Sequence, residues 1–500
     1  MKNILKSTVC IAALLVAAPA FAGGNSSTVN QSGSSDIATV TQSGSNDKSD
    51  VDQSGNTNTA TIKQKGITGG GSKVKQGGNG NLATLDQSDD GNSWNPADPA
   101  NASTIDQGGN NNVATIKQKT VTYILPTDST VTQSGSDNAA TVTQYDDNQH
   151  SNVSQTSNGN IATVLQGKDN LLDLSWGNHS SVTQAGTGLH NADVTQTGEE
   201  NDSTVLQTGS DSDAFVVQSG DRNDSTVNQS GTTDNAQVNQ LGSDNSSSVT
   251  QQAVTNRAIV DQGGNGNESS ITQKKDLNAA HVIQSGDNNK STISQDAAGG
   301  SYGYYNTELD TPVLNPVNTT SFDVVKQTGD GNTSGIDQKN GAMLFGFVQQ
   351  SGDGNGSTIT QSGTLNAAFV EQVGNGNTAS FTQSGTYGNL GATSDPNGPA
   401  ADNIAWAEGI HQLGNNNSAT IEQSGVTDHA DTFQSGNGNT STVTQVGDSD
   451  VANIDQTGNG NTSTVTQTGS SNLATILQGS NNNTSTVTQG GNGNVATVTQ

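Results

Sequence analysis

The sequence predicts an all-β solenoid of about 19 stacked 22-residue strand-turn-strand rungs, cross-β and amyloid-like in its stacking, with five loop insertions. Three observations carry that prediction. Glutamine recurs at every eleventh position, from Gln196 through Gln207, Gln229, Gln251 and Gln273 to Gln295, and from Gln412 through Gln445, Gln456, Gln467, Gln478 and Gln489 to Gln500. Two positions before it the residue is apolar in 37 of 38 units, nearly always Val or Ile, with Thr432 the exception. Four positions before it Ser and Ala alternate, so the true repeat joins two successive units and has two unlike halves.

Positions Met1 to Ala22 form an element of their own. Lys2 and Lys6 precede an apolar stretch from Val9 to Ala18, and Ala20-Phe21-Ala22 closes it, which is the pattern of a secretory signal peptide cleaved before Gly23. The only cysteine, Cys10, leaves with that segment, and no later apolar run is long enough to span a bilayer. The exported chain would carry 15 basic against 46 acidic residues. That balance disfavours binding of nucleic acid and adhesion to anionic lipid through bulk charge.

Residues 23–500 are the repeats. In each unit Asn, Ser or Ala, Val or Ile, and Gln stand two apart, the strand period, while Thr and variable residues take the alternate positions. Stacking in register places like over like, as ladders of Asn461, Asn472 and Asn494, of Ser463 and Ser485, of Ala474 and Ala496, and of Val465, Ile476, Val487 and Val498. The Gln ladder buries amides that pair from rung to rung. The Gly two places after Gln, and the polar residues that follow it, read as the turn. One rung buries too little to fold alone, so a rung is stable only on a stack.

Insertions near 88–101, 119–128, 167–178, 296–320 and 384–402 break the count without losing the Ser/Ala phase, and read as loops budding from turns. They hold all seven prolines after Ala22, which would each remove a ladder hydrogen bond within a strand. Trp94, Trp176 and the cluster Tyr302, Tyr304 and Tyr305 also lie there.

Sites of chemistry are not expected, whether catalytic, cofactor-binding or metal-binding. His150, His179, His190, His281, His411 and His429 fall at scattered repeat positions without ligand spacing and read as surface residues. Gly299-Gly-Ser301-Tyr-Gly303 lacks the strand-to-helix context of a nucleophile elbow. The glycine-rich runs at Gly77, Gly263 and Gly490 carry Asn81, Asn267 and Asn494 where calcium-binding repeats need Asp.

The order Ser485, Gln489, Gly491, Asn494, Ala496, Gln500 resembles the curlin repeat of bacterial curli subunits. The resemblance implies a secreted structural subunit that self-assembles into extracellular amyloid fibres at the bacterial cell surface, for biofilm matrix and surface adhesion. Its implied partners are further copies of itself, a nucleator subunit and a curli-type outer-membrane secretion apparatus. A leader between the signal and the first repeat, which begins at Asn25, is not evident, and repeats run to the last residue, so both ends read as uncapped. Two other functions share the architecture: a monomeric solenoid adhesin, and an ice-binding solenoid presenting outward Thr-x-Thr pairs such as Thr464/Thr466.

Overall fold

A computed structural model describes residues 23–65, 69–89, 101–120, 126–168, 175–298, 304–306, 311–313, 321–386 and 409–500. The signal-peptide reading of residues 1–22 lies outside the described residues, as does at least half of each insertion. Two compact units divide the chain, Met1–Thr233 and Asp234–Gln500. Both are all-β solenoids, and no helix among the described residues is long and apolar enough to cross a membrane.

Among the described residues thirty-eight strands belong to the repeats, nineteen from Ser half-repeats and nineteen from Ala half-repeats. Within each unit the two kinds form separate parallel sheets, here the Ser sheet and the Ala sheet. Register is strict. In the first unit Val29 lies beside Val51 and Gln31 beside Gln53 in the Ser sheet, and Ala38 beside Ala60 in the Ala sheet. In the second, Ser463 lies beside Ser485 and Gln467 beside Gln489, while Ala474 meets Ala496 and Ile476 meets Val498. The double repeat therefore returns each half-repeat onto its own kind.

Strands of about six residues alternate buried and outward positions, as in Thr462–Gln467, where Ser463, Val465 and Gln467 face inward. β-Branched Thr and Val suit this pleat, and the inward Val and Ile make a thin apolar seam between the sheets. Val465 and Ile476 have no exposed surface.

The turns add to the sequence reading. A left-handed residue stands four places after Gln, where many residue types accept it: Thr233, Leu277, Ser471 and Asn482 have φ of 58°, 58°, 57° and 60°, and in several turns the glycine two places after Gln also has positive φ, as Gly198, Gly414 and Gly436 do at 127°, 138° and 143°. The glycine two places after Gln serves another need. A Cβ on Gly469 would lie 1.9 Å from the carbonyl oxygen of Gly491 on the next rung, and one on Gly447 would lie 1.7 Å from that of Gly469. Close stacking of turns calls for glycine at Gly447 and Gly469, and positive φ adds a conformational demand for it at Gly198, Gly414 and Gly436.

The segments read as loops also contain some regular structure. The strand Lys290–Ala298 runs on into the 296–320 insertion, and within it Tyr304–Asn306 pairs antiparallel with Thr311–Val313. Strands Leu82–Asp89 and Val113–Thr120 likewise continue past the expected boundaries and pair Asp89 with Thr120.

Glycine contacts separate two neighbouring turn positions. Gly469→Ala is expected to lower the urea midpoint of the folded chain by the equivalent of about 1–3 kcal/mol, since a methyl is driven into stacked backbone. Gly490→Ala, whose nearest contact would be Thr468 Oγ1 at 3.8 Å, is expected to change it little. Equal effects in chemical denaturation would contradict the stacking role.

Candidate functional site: the amide ladders

Glutamine reaches further than asparagine by one methylene, and the Gln ladders use that reach twice. Nε2 of Gln467 donates to Oε1 of Gln489 at 2.8 Å and to the carbonyl oxygen of Val451, on the opposite sheet, at 3.0 Å. Its own Oε1 accepts from Gln445 at 2.9 Å. Both N–H groups and the carbonyl are thereby satisfied in a buried place. The same geometry joins Gln456 to Gln478 and Gln478 to Gln500 in the Ala sheet, each at 2.9 Å. It also joins Gln207 to Gln229 in the first unit and Gln251 to Gln273 in the second, each at 2.9 Å.

Serine and alanine differ in what they face. The Oγ of Ser463 accepts from Gln456 Nε2 at 3.0 Å and donates to Gln478 Oε1 at 2.8 Å, bridging two rungs of the opposite sheet. The bridge is not general along the Ser ladder, where the Oγ atoms of Ser203, Ser225 and Ser441 are buried without a partner, and Ala474 and its equivalents only fill space.

A second ladder lines the turns. The backbone N–H of Asn461 donates to Oδ1 of Asn439 at 2.9 Å, and Asn439 Nδ2 donates to the Gly458 carbonyl at 2.8 Å. Asn494 bonds Asn472 in the same way at 3.0 Å. Asn81 and Asn267 are members too, and their side-chain oxygens accept from the backbone of Asn112 and Asn289, each at 2.9 Å. Those oxygens are thus engaged within the turn stack.

Aspartate replaces asparagine at Asp36 and Asp234 and, with the geometry described next, at Asp47, Asp428 and Asp450. One carboxylate oxygen keeps the acceptor role: Asp428 Oδ1 accepts from Asp450 N at 3.1 Å, and Asp450 Oδ1 from Asn472 N at 2.9 Å. The other oxygen, Oδ2, stands where the amide would donate, and in all three residues it is buried without a partner. Burial pushes the Asp47 carboxyl up to about 6. Burial also pushes Asp428 up to about 6, helped by the charges of Asp450 and Asp448, against the backbone hydrogen bonds it accepts.

Asp323 takes an alanine position in the Ala sheet and is fully buried. It accepts from Gln338 Nε2 at 2.7 Å, and burial raises its carboxyl well above the usual range. Glycine at the same position of the next rung makes room, since a Cβ on Gly346 would lie 2.7 Å from Asp323 Oδ1.

The histidines are not all surface residues. His190 occupies an asparagine place in the turn ladder and is 1% exposed, because its backbone N–H donates to Asn160 Oδ1 at 3.1 Å and fixes it inward. Burial lowers its pKa. His281 points outward yet is 5% exposed, paired with Asp261 at 2.8 Å. His150 and His179 meet on neighbouring Ser-sheet rungs with rings 6.4 Å apart, His150 bonded to Asp128 and His179 to Asp202. An insertion between them hides that adjacency from the repeat count. Another feature escaped the repeat pattern: outward Phe322, Val324 and Phe347 are buried, and Phe347 stacks on Phe369 at 4.9 Å.

Six segments, residues 35–66, 191–220, 248–274, 352–385, 414–447 and 447–479, match the curlin associated repeat. A search among curated proteins finds no match.

Folding raises the pKa of Asp47 and Asp428, so protonation favours the folded state. Their contribution is complete below about pH 4, the ordinary carboxylate range, and is lost as pH rises through about 6. Asp428→Asn, which restores the amide donor, is expected to stabilise the chain at pH 7.5 by on the order of 1 kcal/mol after solvent screening, and to flatten its stability profile between pH 4 and 7. Denaturation across that range checks this, and an unchanged slope would contradict it.

Proposed function

We propose that this curlin-repeat protein is a secreted, non-enzymatic structural subunit that stacks copies end on end into curli-like amyloid fibres at the bacterial surface, serving biofilm matrix and adhesion. The signal-like residues 1–22 support export. Resemblance to the repeat family supports delivery through a curli-type outer-membrane apparatus and initiation by a nucleator subunit as parts of this reading.

One observation carries the fibre reading. Rungs join with the same geometry whether or not the chain leads directly from one to the next. Gln372 bonds Gln412 at 2.8 Å and Gln383 bonds Gln423 at 3.0 Å across 40 residues, and Gln284 bonds Gln327 at 2.9 Å across 43. The ordinary 22-residue step from Gln467 to Gln489 also gives 2.8 Å. Recognition between rungs thus resides in the ladders, and the length of the covalent link is immaterial. A rung from a second copy offers the same amides, the same seam and the same glycine turn, so it fits by the same contacts.

Outward substitutions should be tolerated where inward ones are not. Purified chain from Gly23 is expected to polymerise after a lag that preformed seeds abolish. Val465→Asp, which puts a charge into the dry seam, should slow seeded elongation by about tenfold or more, whereas Thr464→Asp on the outer face should change it less than about threefold. Amyloid-dye kinetics measure both. A wild-type chain that stays monomeric at high concentration with seeds present would favour the monomeric adhesin.

A further inference from the structure

The Ala-sheet outer face of the first unit differs from every neighbouring surface. Along six consecutive rungs the first outward position is Ile37, Thr59, Leu82, Val113, Ala139 and Ile161, in direct register. Ile37, Leu82, Val113 and Ile161 are 57%, 40%, 41% and 51% exposed, which is unusual for aliphatic side chains aligned in one row. Beside that row runs an unbroken threonine row from Thr39 through Thr84 to Thr163.

Charge is sparser on this face than on the Ser face. The outward rows before Gln hold Lys63, Asp86 and Lys117, of which Lys63 pairs with Asp86 at 3.1 Å and Lys117 lies 5.6 Å from the Tyr145 ring centre, and the row just past Gln adds Lys65 and Lys119. The Ser-sheet face of the same rungs holds seven Lys and Asp residues, from Lys48 to Asp128. Burying the Ser face would strip water from all seven, two of which, Lys75 and Asp106, are paired, whereas the Ala face has one charge pair and three lysines, Lys65, Lys117 and Lys119, to desolvate.

We infer that this face binds the same face of a second copy, so that two solenoids pair laterally. The inference rests on the fibre reading and adds a second contact, perpendicular to the growth direction. The occupant follows from spacing. Rows repeating at the rung distance of about 4.8 Å are matched over six rungs only by another surface with that repeat, and a copy of this face offers an aliphatic row for the aliphatic row and threonine methyls for threonine methyls. A single face is small, so pairing is weak between free chains and accumulates along a fibre, where every copy contributes one face.

The test is mass per length of fibres grown from purified chain, measured by scanning transmission electron microscopy. Wild-type fibres are expected to have twice the mass per length of one solenoid. Leu82→Lys/Val113→Lys is expected to halve that value while seeded growth stays within about twofold, because both side chains point away from the ladders. Should that variant fail to grow, Thr84→Glu/Thr115→Glu on the adjacent row serves in its place, with the same halving expected. Thr104→Lys/Thr130→Lys on the Ser face should keep the doubled value. Wild-type fibres of single mass, or doubling that survives changes to both rows of the Ala face, would overturn lateral pairing and leave the fibre reading intact. If no fibre forms at all, both fall.

Discussion

A buried glutamine amide has two N–H donors and one carbonyl acceptor, and the solenoid is arranged around satisfying all three. Gln467 gives one hydrogen to the next rung and one to the opposite sheet, and takes one from the rung before. Glutamine suits this place because its side chain spans both distances at once. A glutamate of similar shape would supply no donor and would set like charges one rung apart. An isolated buried amide is costly, so each rung depends on having a neighbour, and the fold is stable only as a stack.

In-register amides then constrain everything around them. The strands cannot slip, because a one-residue shift would turn Val and Gln outward and bring Thr into the seam. The turns must repeat at rung spacing, which brings backbone over backbone so closely that only glycine fits at Gly447 or Gly469. Variation is confined to places that the stack does not use: outward rows, the left-handed turn residue, and the insertions. Aspartates in the asparagine ladder mark where the rule is relaxed and link stability to pH, since Asp47 and Asp428 need a proton to imitate the missing amide.

Much of this was legible in the sequence because periodicity reports facing directly. The alternate placing of Ser463, Val465 and Gln467 identified the inward side, and the Ser/Ala alternation identified two sheets. What the pattern could not convey was distance between rungs. The turn glycine read as turn chemistry, which its positive φ at Gly198, Gly414 and Gly436 bears out, but the closeness of the next rung, its second reason, was hidden. Contacts set by insertions were equally hidden, as with His150 against His179, whose separation breaks the regular step between units. His190 looked like any other surface histidine because an inward turn position normally advertises itself by asparagine. The short pair of strands at Tyr304–Asn306 and Thr311–Val313 has no repeat to reveal it.

The central claim is that the ladders which join rungs within a chain also join one chain to the next. Its most direct test is solid-state NMR on fibres grown from an equal mixture of 15N-labelled and 13C-labelled chains, in which every 15N–13C transfer is intermolecular. The account predicts transfer from glutamine side-chain amide nitrogens to glutamine side-chain carbonyl carbons, together with in-register backbone contacts of the same strand type. Fibres whose intermolecular contacts fall only between outward side chains, with no glutamine-to-glutamine transfer, would contradict it.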